Sequence, residues 1–532
     1  MKLSHQLLGA LTGLLLCGCA TTTPRTDVTF TNPVAAGDYP DPSVIRVGNT
    51  YWATATSSEW SPQFPLLKSR DLVNWEVVGS IFQKRPDWAV ANFWAPELVE
   101  YNGRYFVYYV GRKAGGPLAV AVASADKPEG PYTDHGPLVA QPPGSIDGHI
   151  HTDEKGDLYM VWKEDGNSRR IPTIIWMQQL DKSGTKLLGE PKELFRNDAP
   201  WEGAVVEGPF VVRHGEYFYI FYAGNACCGA GCNYAQGVAR SKSLHGPWEK
   251  NPMNPIMAGN NDWKCPGHGT VVKDERGRYW FMYHAYAADS FIFTGREALI
   301  DEVIFGEDGW PTINGGKGPS KQAASPYGAQ QRFAELRYED QFTGSKLRPG
   351  WNWPVTDASP ALVRGGALTL TAAPEQKTNL LGAVLGRSIR SGDFTATTLV
   401  DASGLSNGTI ASLAAVGDRA NATGIGVTAG RAFLWHRAGN NQRILAERPL
   451  SAGKQVHLRV QARNGRDYRF AFSADGVHWT DLNQEADGKH LPPWDRAVRV
   501  ALAVGGRENA TANFDYIRVV PEGERAQALP QK

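Results

Sequence analysis

The sequence predicts an all-β protein of two domains, a five-bladed β-propeller followed by a concanavalin-like β-sandwich. Three observations predict it: a glycine-led aromatic strand that recurs five times, a linker composition beginning near residue 315, and short alternating strands after it. A chain of 532 residues has room for two or three domains. The composition agrees, because 56 aromatic residues beside 58 glycines suit strands joined by tight turns.

Residues 1–24 read as a targeting segment and a short linker. Lys2 and His5 precede an apolar run from Leu7 to Leu16, too short for a permanent membrane span. The run ends in Leu16-Cys17-Gly18-Cys19, a pattern like that of bacterial lipoprotein signals, which puts lipid on Cys19. Plain secretion is the alternative. The expected location is outside the cytoplasm, as a membrane-anchored lipoprotein of the periplasm or outer membrane, with that anchor as its only membrane contact. Lys plus Arg number 55 against 54 Asp plus Glu, so nothing favours nucleic acid or an acidic surface as a partner.

Residues 25–316 carry the repeat. Its strands begin after turns at Gly48, Gly103, Gly156, Gly215 and Gly277, at intervals of 53–62 residues. Examples are Tyr105-Phe106-Val107-Tyr108-Tyr109 and Tyr217-Phe218-Tyr219-Ile220-Phe221-Tyr222. Apolar runs of this length between glycine turns read as buried strands. The period fits a four-stranded propeller blade with long loops. No helical pattern separates the strands, which disfavours a solenoid.

Residues 317–333 are a linker rich in Gly, Ser and Ala. Residues 334–520 then alternate as a sandwich should, at Ala367–Thr371, Phe394–Val400, Val456–Val460, Tyr468–Phe472, Val498–Val504 and Phe514–Val519. A polar tail, 521–532, is expected to be loose. Four cysteines remain in the body: Cys227, Cys228, Cys232 and Cys265. An exported chain meets an oxidising space, so at least one disulfide is expected, with three pairings open. A bridge from Cys265 to the loop holding the other three would brace the rim of an axial site.

Three carboxylates are phased with the repeat. Asp41 stands between Pro40 and Pro42, Asp147 precedes Gly148, and Glu207 precedes Gly208-Pro209. Each comes shortly before its unit's aromatic strand, where the innermost strands of a propeller converge. Singly, each reads equally well as an ordinary turn. Together, in phase, they point to acid–base chemistry on the axis.

These residues also resemble a known family. Pro40-Asp41-Pro42-Ser43-Val44, Trp94-Ala95-Pro96-Glu97, Ile146-Asp147-Gly148, Val206-Glu207-Gly208-Pro209, Gly267-His268-Gly269-Thr270, Gly295-Arg296 and Asp308-Gly309-Trp310-Pro311 are similar to the motifs of glycoside hydrolase family 43. That family includes β-xylosidases, α-L-arabinofuranosidases and arabinanases. One departure is Gly148, where family members often carry Pro. The resemblance implies that Asp41 is the general base, Glu207 the general acid, and Asp147 the residue that raises and orients the acid. An inverting hydrolysis needs base and acid roughly 6.5–9.5 Å apart, with room for water. It also implies Trp94 as a wall for the sugar, Arg296 near a substrate hydroxyl or the acid, and His268 as an axial residue near water or calcium. No cofactor is required for the chemistry; calcium, if bound, is structural. A zinc site of His149, His151 and His268 is rejected, because His-x-His alone is weak.

The expected function is exo-acting, inverting release of terminal α-L-arabinofuranosyl or β-D-xylosyl residues. The expected substrates are plant cell-wall fragments of arabinoxylan, xylan or arabinan. Endo-arabinanase, a fructan-cleaving propeller and a non-catalytic oligosaccharide-binding lipoprotein are the alternatives. Fructan cleavage would want Asn-Asp-Pro-Asn and Glu-Cys-Pro, which this chain lacks. A mere binder has no need of an acid–base pair.

Overall fold

A computed structural model describes residues 28–332, 336–373, 379–450 and 455–522. The proposed signal, Cys19 and most of the tail lie outside the described residues. Among the described residues no helix is long and apolar enough to cross a membrane.

Residues 43–313 form five four-stranded antiparallel sheets, each a simple meander. The aromatic runs read from the sequence are the second strand of each sheet: Thr50–Thr54, Arg104–Lys113, Leu158–Glu164, Tyr217–Gly224 and Tyr279–Ala287. They are buried on both faces because neighbouring blades pack against them, so alternation gives way to continuous apolar runs. The first strands, Ser43–Val47, Ala89–Tyr101, Ser145–Thr152, Val206–His214 and Trp263–Lys273, touch one another in a closed ring, fifth against first. This ring surrounds the axis. Part of the predicted linker is structured: Gln322–Ala324 pairs with Thr29–Thr31.

The second domain packs an eight-stranded sheet on a six-stranded one. The smaller sheet contains Ala383–Ser388, Ile410–Val416, Asn421–Val427, Arg431–Ala438 and Asn441–Pro449 beside Arg499–Gly505. Only the last of these was evident in the sequence. Its other face packs on the propeller, where Trp60 joins Val384, Phe433, Trp435 and Ala501 in one apolar cluster. Strand Trp60–Ser61 of the propeller also pairs with Trp353–Pro354. One correction concerns the tail. Pro521 ends the strand Thr511–Pro521 and pairs with Phe394, so it belongs to the sandwich.

Candidate active site

The innermost strands do not run straight past the axis. Their ladders break at Trp94/Glu97, Ile146/His149, Glu207/Phe210 and on both sides of Gly267, the second break holding His268. A bulge inserts an unpaired residue and re-aims its side chain. Asp147 (φ 59°), His268 (φ 43°) and Ala95 (φ 42°) sit in the left-handed region at these breaks, and Asp41 (φ 51°) does so just before its strand. Each such residue costs about 1–2 kcal/mol. Gly148, the family departure, lies within one bulge; a Cβ there would fall 2.5 Å from Val120 Cγ1, so the neighbouring blade leaves no room for a larger residue.

Asp41 is held from every side. Thr56 Oγ1 donates to its Oδ2 at 2.6 Å and Arg296 Nη1 to its Oδ1 at 2.8 Å. Its own N–H donates to His284 Nδ1 at 3.1 Å, and His268 Nδ1 lies 3.5 Å from Oδ1. The prolines contribute through the backbone, with Pro40 C=O accepting from the Thr56 N–H. Burial alone would push this carboxyl up, but the Arg296 guanidinium, and after it His268, outweigh burial and hold it well below the usual range. Burial, then Arg296, lower His284 to about 4, so its Nδ1 is free to accept. Asp41 is therefore a carboxylate throughout the working pH range.

Glu207 accepts from Lys163 Nζ at 2.6 Å and from Tyr234 Oη at 2.7 Å. Asp147 lies beside it, its Oδ2 accepting from the Gly208 N–H at 2.9 Å. Here the structure corrects an expectation. Burial and the Glu207 charge raise Asp147, to about 6. Glu207 is lowered: burial pushes it up, but the Lys163 ammonium more than offsets that. Two close carboxylates cannot both ionise easily, and Lys163 decides which of them keeps the charge. Of the two, Asp147 is thus the carboxyl shifted up and Glu207 the one shifted down.

Arg296 bonds Asp41 and not Glu207, and its Nη2 donates to the Asp495 carbonyl of the sandwich at 3.3 Å. Trp94 meets Trp494 of the sandwich edge-on, ring centroids 5.9 Å apart. The second domain therefore reaches the site through residues 494–497. Cys232 bonds Cys265, joining the two axial loops, and Cys227 bonds its neighbour Cys228.

Water or a calcium ion was expected near His268. The axial cavity there is about 10 Å³, lined by Glu97, Asp147, His149 and His268. That is space for about one water. Only two carboxyls, Glu97 and Asp147, face it, beside two imidazoles. Calcium wants six to eight oxygens at 2.3–2.6 Å. The donor set does not fit calcium; it fits water. His151 faces Phe218 and hydrogen-bonds the Thr152 carbonyl, away from His268.

Sequence reasoning missed Thr56, Lys163, Tyr234, His284 and Trp494. Two of these carried a signal. Lys163 and His284 are buried polar residues within largely apolar second strands, which burial tolerates only where a partner waits. The others are brought in from distant positions and left no local mark.

Comparison with known proteins agrees with this geometry. Residues 30–311 match glycosyl hydrolases family 43, and residues 339–519 match the β-xylosidase C-terminal concanavalin A-like domain. A xylan 1,3-β-xylosidase from a Vibrio species is 28% identical over 352 residues, 60% of this chain and 64% of that protein. A xylosidase/arabinosidase from Humicola insolens is 30% identical over 369 residues, 64% and 65% of the two chains. The chain thus spans slightly under two thirds of these relatives' length. The crystal structure of a family 43 protein, BlXynB from Bacillus licheniformis, superposes with a TM-score of 0.79 at 24% identity, over 93% of this chain and all of that one. That likeness concerns the fold.

Proposed function

The chain belongs to glycosyl hydrolase family 43, and from that premise we propose that it is an exo-acting, inverting glycosidase releasing terminal β-D-xylosyl or α-L-arabinofuranosyl residues from hemicellulose oligosaccharides. One observation carries the reading. Around a single axial site, Asp41 is kept ionised by Arg296 while the Asp147–Glu207 pair is poised to hold a proton near pH 6. Opposite protonation states are what a base and an acid on two faces of one sugar require.

Asp41 takes a proton from the attacking water, and Glu207 delivers one to the departing glycosidic oxygen. Glu207 must first carry that proton. A bound sugar displaces water from the carboxyl and disfavours its charge, shifting the pair's proton from Asp147 towards Glu207. Tyr234 and Lys163 fix the orientation of Glu207 meanwhile. Trp94 and Trp494 wall the sugar's approach, which favours a closed pocket and terminal cleavage over the open cleft of an endo-arabinanase. The relatives named xylosidase/arabinosidase support both sugars as candidates. We further propose export as a lipoprotein acylated on Cys19.

The direct test is chromatography of products from xylobiose and from an arabinose-decorated xylo-oligosaccharide. Release of one monosaccharide per event supports the reading, and the substrate that reacts names the sugar. No release from either overturns it. A pH profile tests the acid pair. kcat/KM is expected to fall as pH rises through about 6, where the pair loses its proton. Lys163→Met removes a positive charge, so both carboxyls hold protons more tightly and that limb should move to higher pH. A limb that stays put or moves down would contradict the assignment.

A further inference from the structure

Asp38 stands three residues before the base in the same turn and takes no part in the chemistry above. Its side chain is only 6% exposed, and its Oδ2 accepts from the Ala497 N–H of the sandwich at 3.1 Å. The same oxygen lies 3.8 Å from Arg499 Nη1. Arg499 in turn lays its guanidinium over Trp60 of the propeller, 4.2 Å from the ring centroid. On the other side is Gly295, the residue before Arg296. With φ at 86°, a Cβ there would fall 2.4 Å from Asp38 Oδ1 and 2.8 Å from the Ala497 Cβ. The base turn, the arginine strand and the sandwich segment therefore meet with no room for a methyl group.

The junction is tied to the site at both ends. The Tyr39 N–H donates to the Arg296 carbonyl at 2.9 Å. Ser58 Oγ donates to Asp495 Oδ2 at 3.1 Å, two residues before Ala497. Trp494, the partner of Trp94, is 59% exposed, so little besides its own segment holds it in place. A buried carboxylate is expensive to desolvate, and its ion pair is a weak source of net stability. Such a group suits the selection of one docked arrangement over others.

We propose that Asp38 is a positioning residue, a latch that fixes the sandwich segment Trp494–Ala497 on the catalytic face and so holds the Trp494 wall beside Trp94. The substrate side of this inference rests on the hydrolase reading; the latch itself does not. Its removal should act on binding of the sugar chain and leave the proton transfers largely alone.

The test combines Asp38→Ala, Asp38→Asn, Trp494→Ala and the double variant Asp38→Ala/Trp494→Ala, with kcat and KM measured on the oligosaccharide that wild type cleaves. Asp38→Ala is expected to raise KM about ten-fold, Trp494→Ala by a similar factor, and the double variant by no more than either, since one wall is lost once. The change in kcat should stay within about three-fold. Asp38→Asn keeps an oxygen for the Ala497 N–H and should recover most of the loss. Effects that multiply in the double variant, or an Asp38→Ala protein with unchanged KM, overturn the proposal. Should Asp38→Ala not fold, the Asn variant alone and combined with Trp494→Ala carries the same comparison. Hydrogen exchange supplies an arm that needs no activity: amides of residues 494–498 should exchange at least about ten-fold faster in the Asp38 variant, with the inner propeller strands unchanged. Unchanged exchange there overturns the latch even in a protein that cleaves nothing, whereas wild type that releases no sugar overturns only the hydrolase reading.

Discussion

Asp41→Asn is expected to fold and to lose turnover by about 10²–10⁴-fold, the usual contribution of a positioned base. The choice of Asn follows from the backbone. Asp41 sits at φ 51°, a region that Asn adopts at lower cost than Ala. The amide oxygen of Asn still accepts from Arg296 or Thr56, so the buried guanidinium keeps a partner besides the Asp495 carbonyl. Complete removal of that partner would leave an uncompensated buried charge, costing about 3–5 kcal/mol. The Asn variant thus separates chemistry from folding. KM should change little, because the lost interaction is with the attacking water. Azide, which attacks without surrendering a proton, should restore part of the rate. A folded Asp41→Asn protein with wild-type turnover would remove Asp41 as the base.

Glu207→Gln should show a loss that depends on the leaving group. With a sugar alcohol departing from xylobiose, the acid is indispensable and the loss should again reach about 10²–10⁴-fold. With nitrophenolate departing from an aryl xyloside, the anion is stable without a proton and the loss should stay below about ten-fold. The fold tolerates the change because Lys163 retains Asp165, whose Oδ1 lies 3.0 Å from its Nζ. The alkaline limb of the pH profile should disappear along with the ionisable acid. Equal losses on both substrates would argue against the acid role and turn attention to Asp147, the carboxyl of the pair that is shifted up.

Much of the architecture was legible because a propeller writes its period into the chain. Each second strand is covered on both sides and so appears as an unbroken aromatic run after a glycine turn. The three carboxylates were legible for the same reason, since the starts of the first, third and fourth blades meet at the axis. The six-stranded sheet of the sandwich was not. Its strands include Ile-Ala-Ser-Leu-Ala-Ala-Val and Asn-Ala-Thr-Gly-Ile-Gly-Val, short of large β-branched and aromatic residues. The sheet packs on its partner sheet on one side and on the propeller on the other, so no polar face marks the alternation. The electrostatics of the site were hidden for a related reason. Whether Glu207 or Asp147 holds the proton turns on Lys163, which is 44 residues from the one and 16 from the other in the chain, yet contacts Glu207 directly. Likewise Arg296 reaches Asp41 across 255 residues of chain separation. Such pairings follow from which blades adjoin.

In the proposed mechanism Asp41 activates water on one face while Glu207 releases the leaving group on the other. Proton NMR of the first anomer formed tests that most directly, on a reaction fast enough to outrun mutarotation. From a β-xyloside, the account predicts α-xylose first, with β-xylose appearing only by later equilibration. β-Xylose as the first product would mean retention through a covalent intermediate, and would contradict the assignment of Asp41 as a base acting on water.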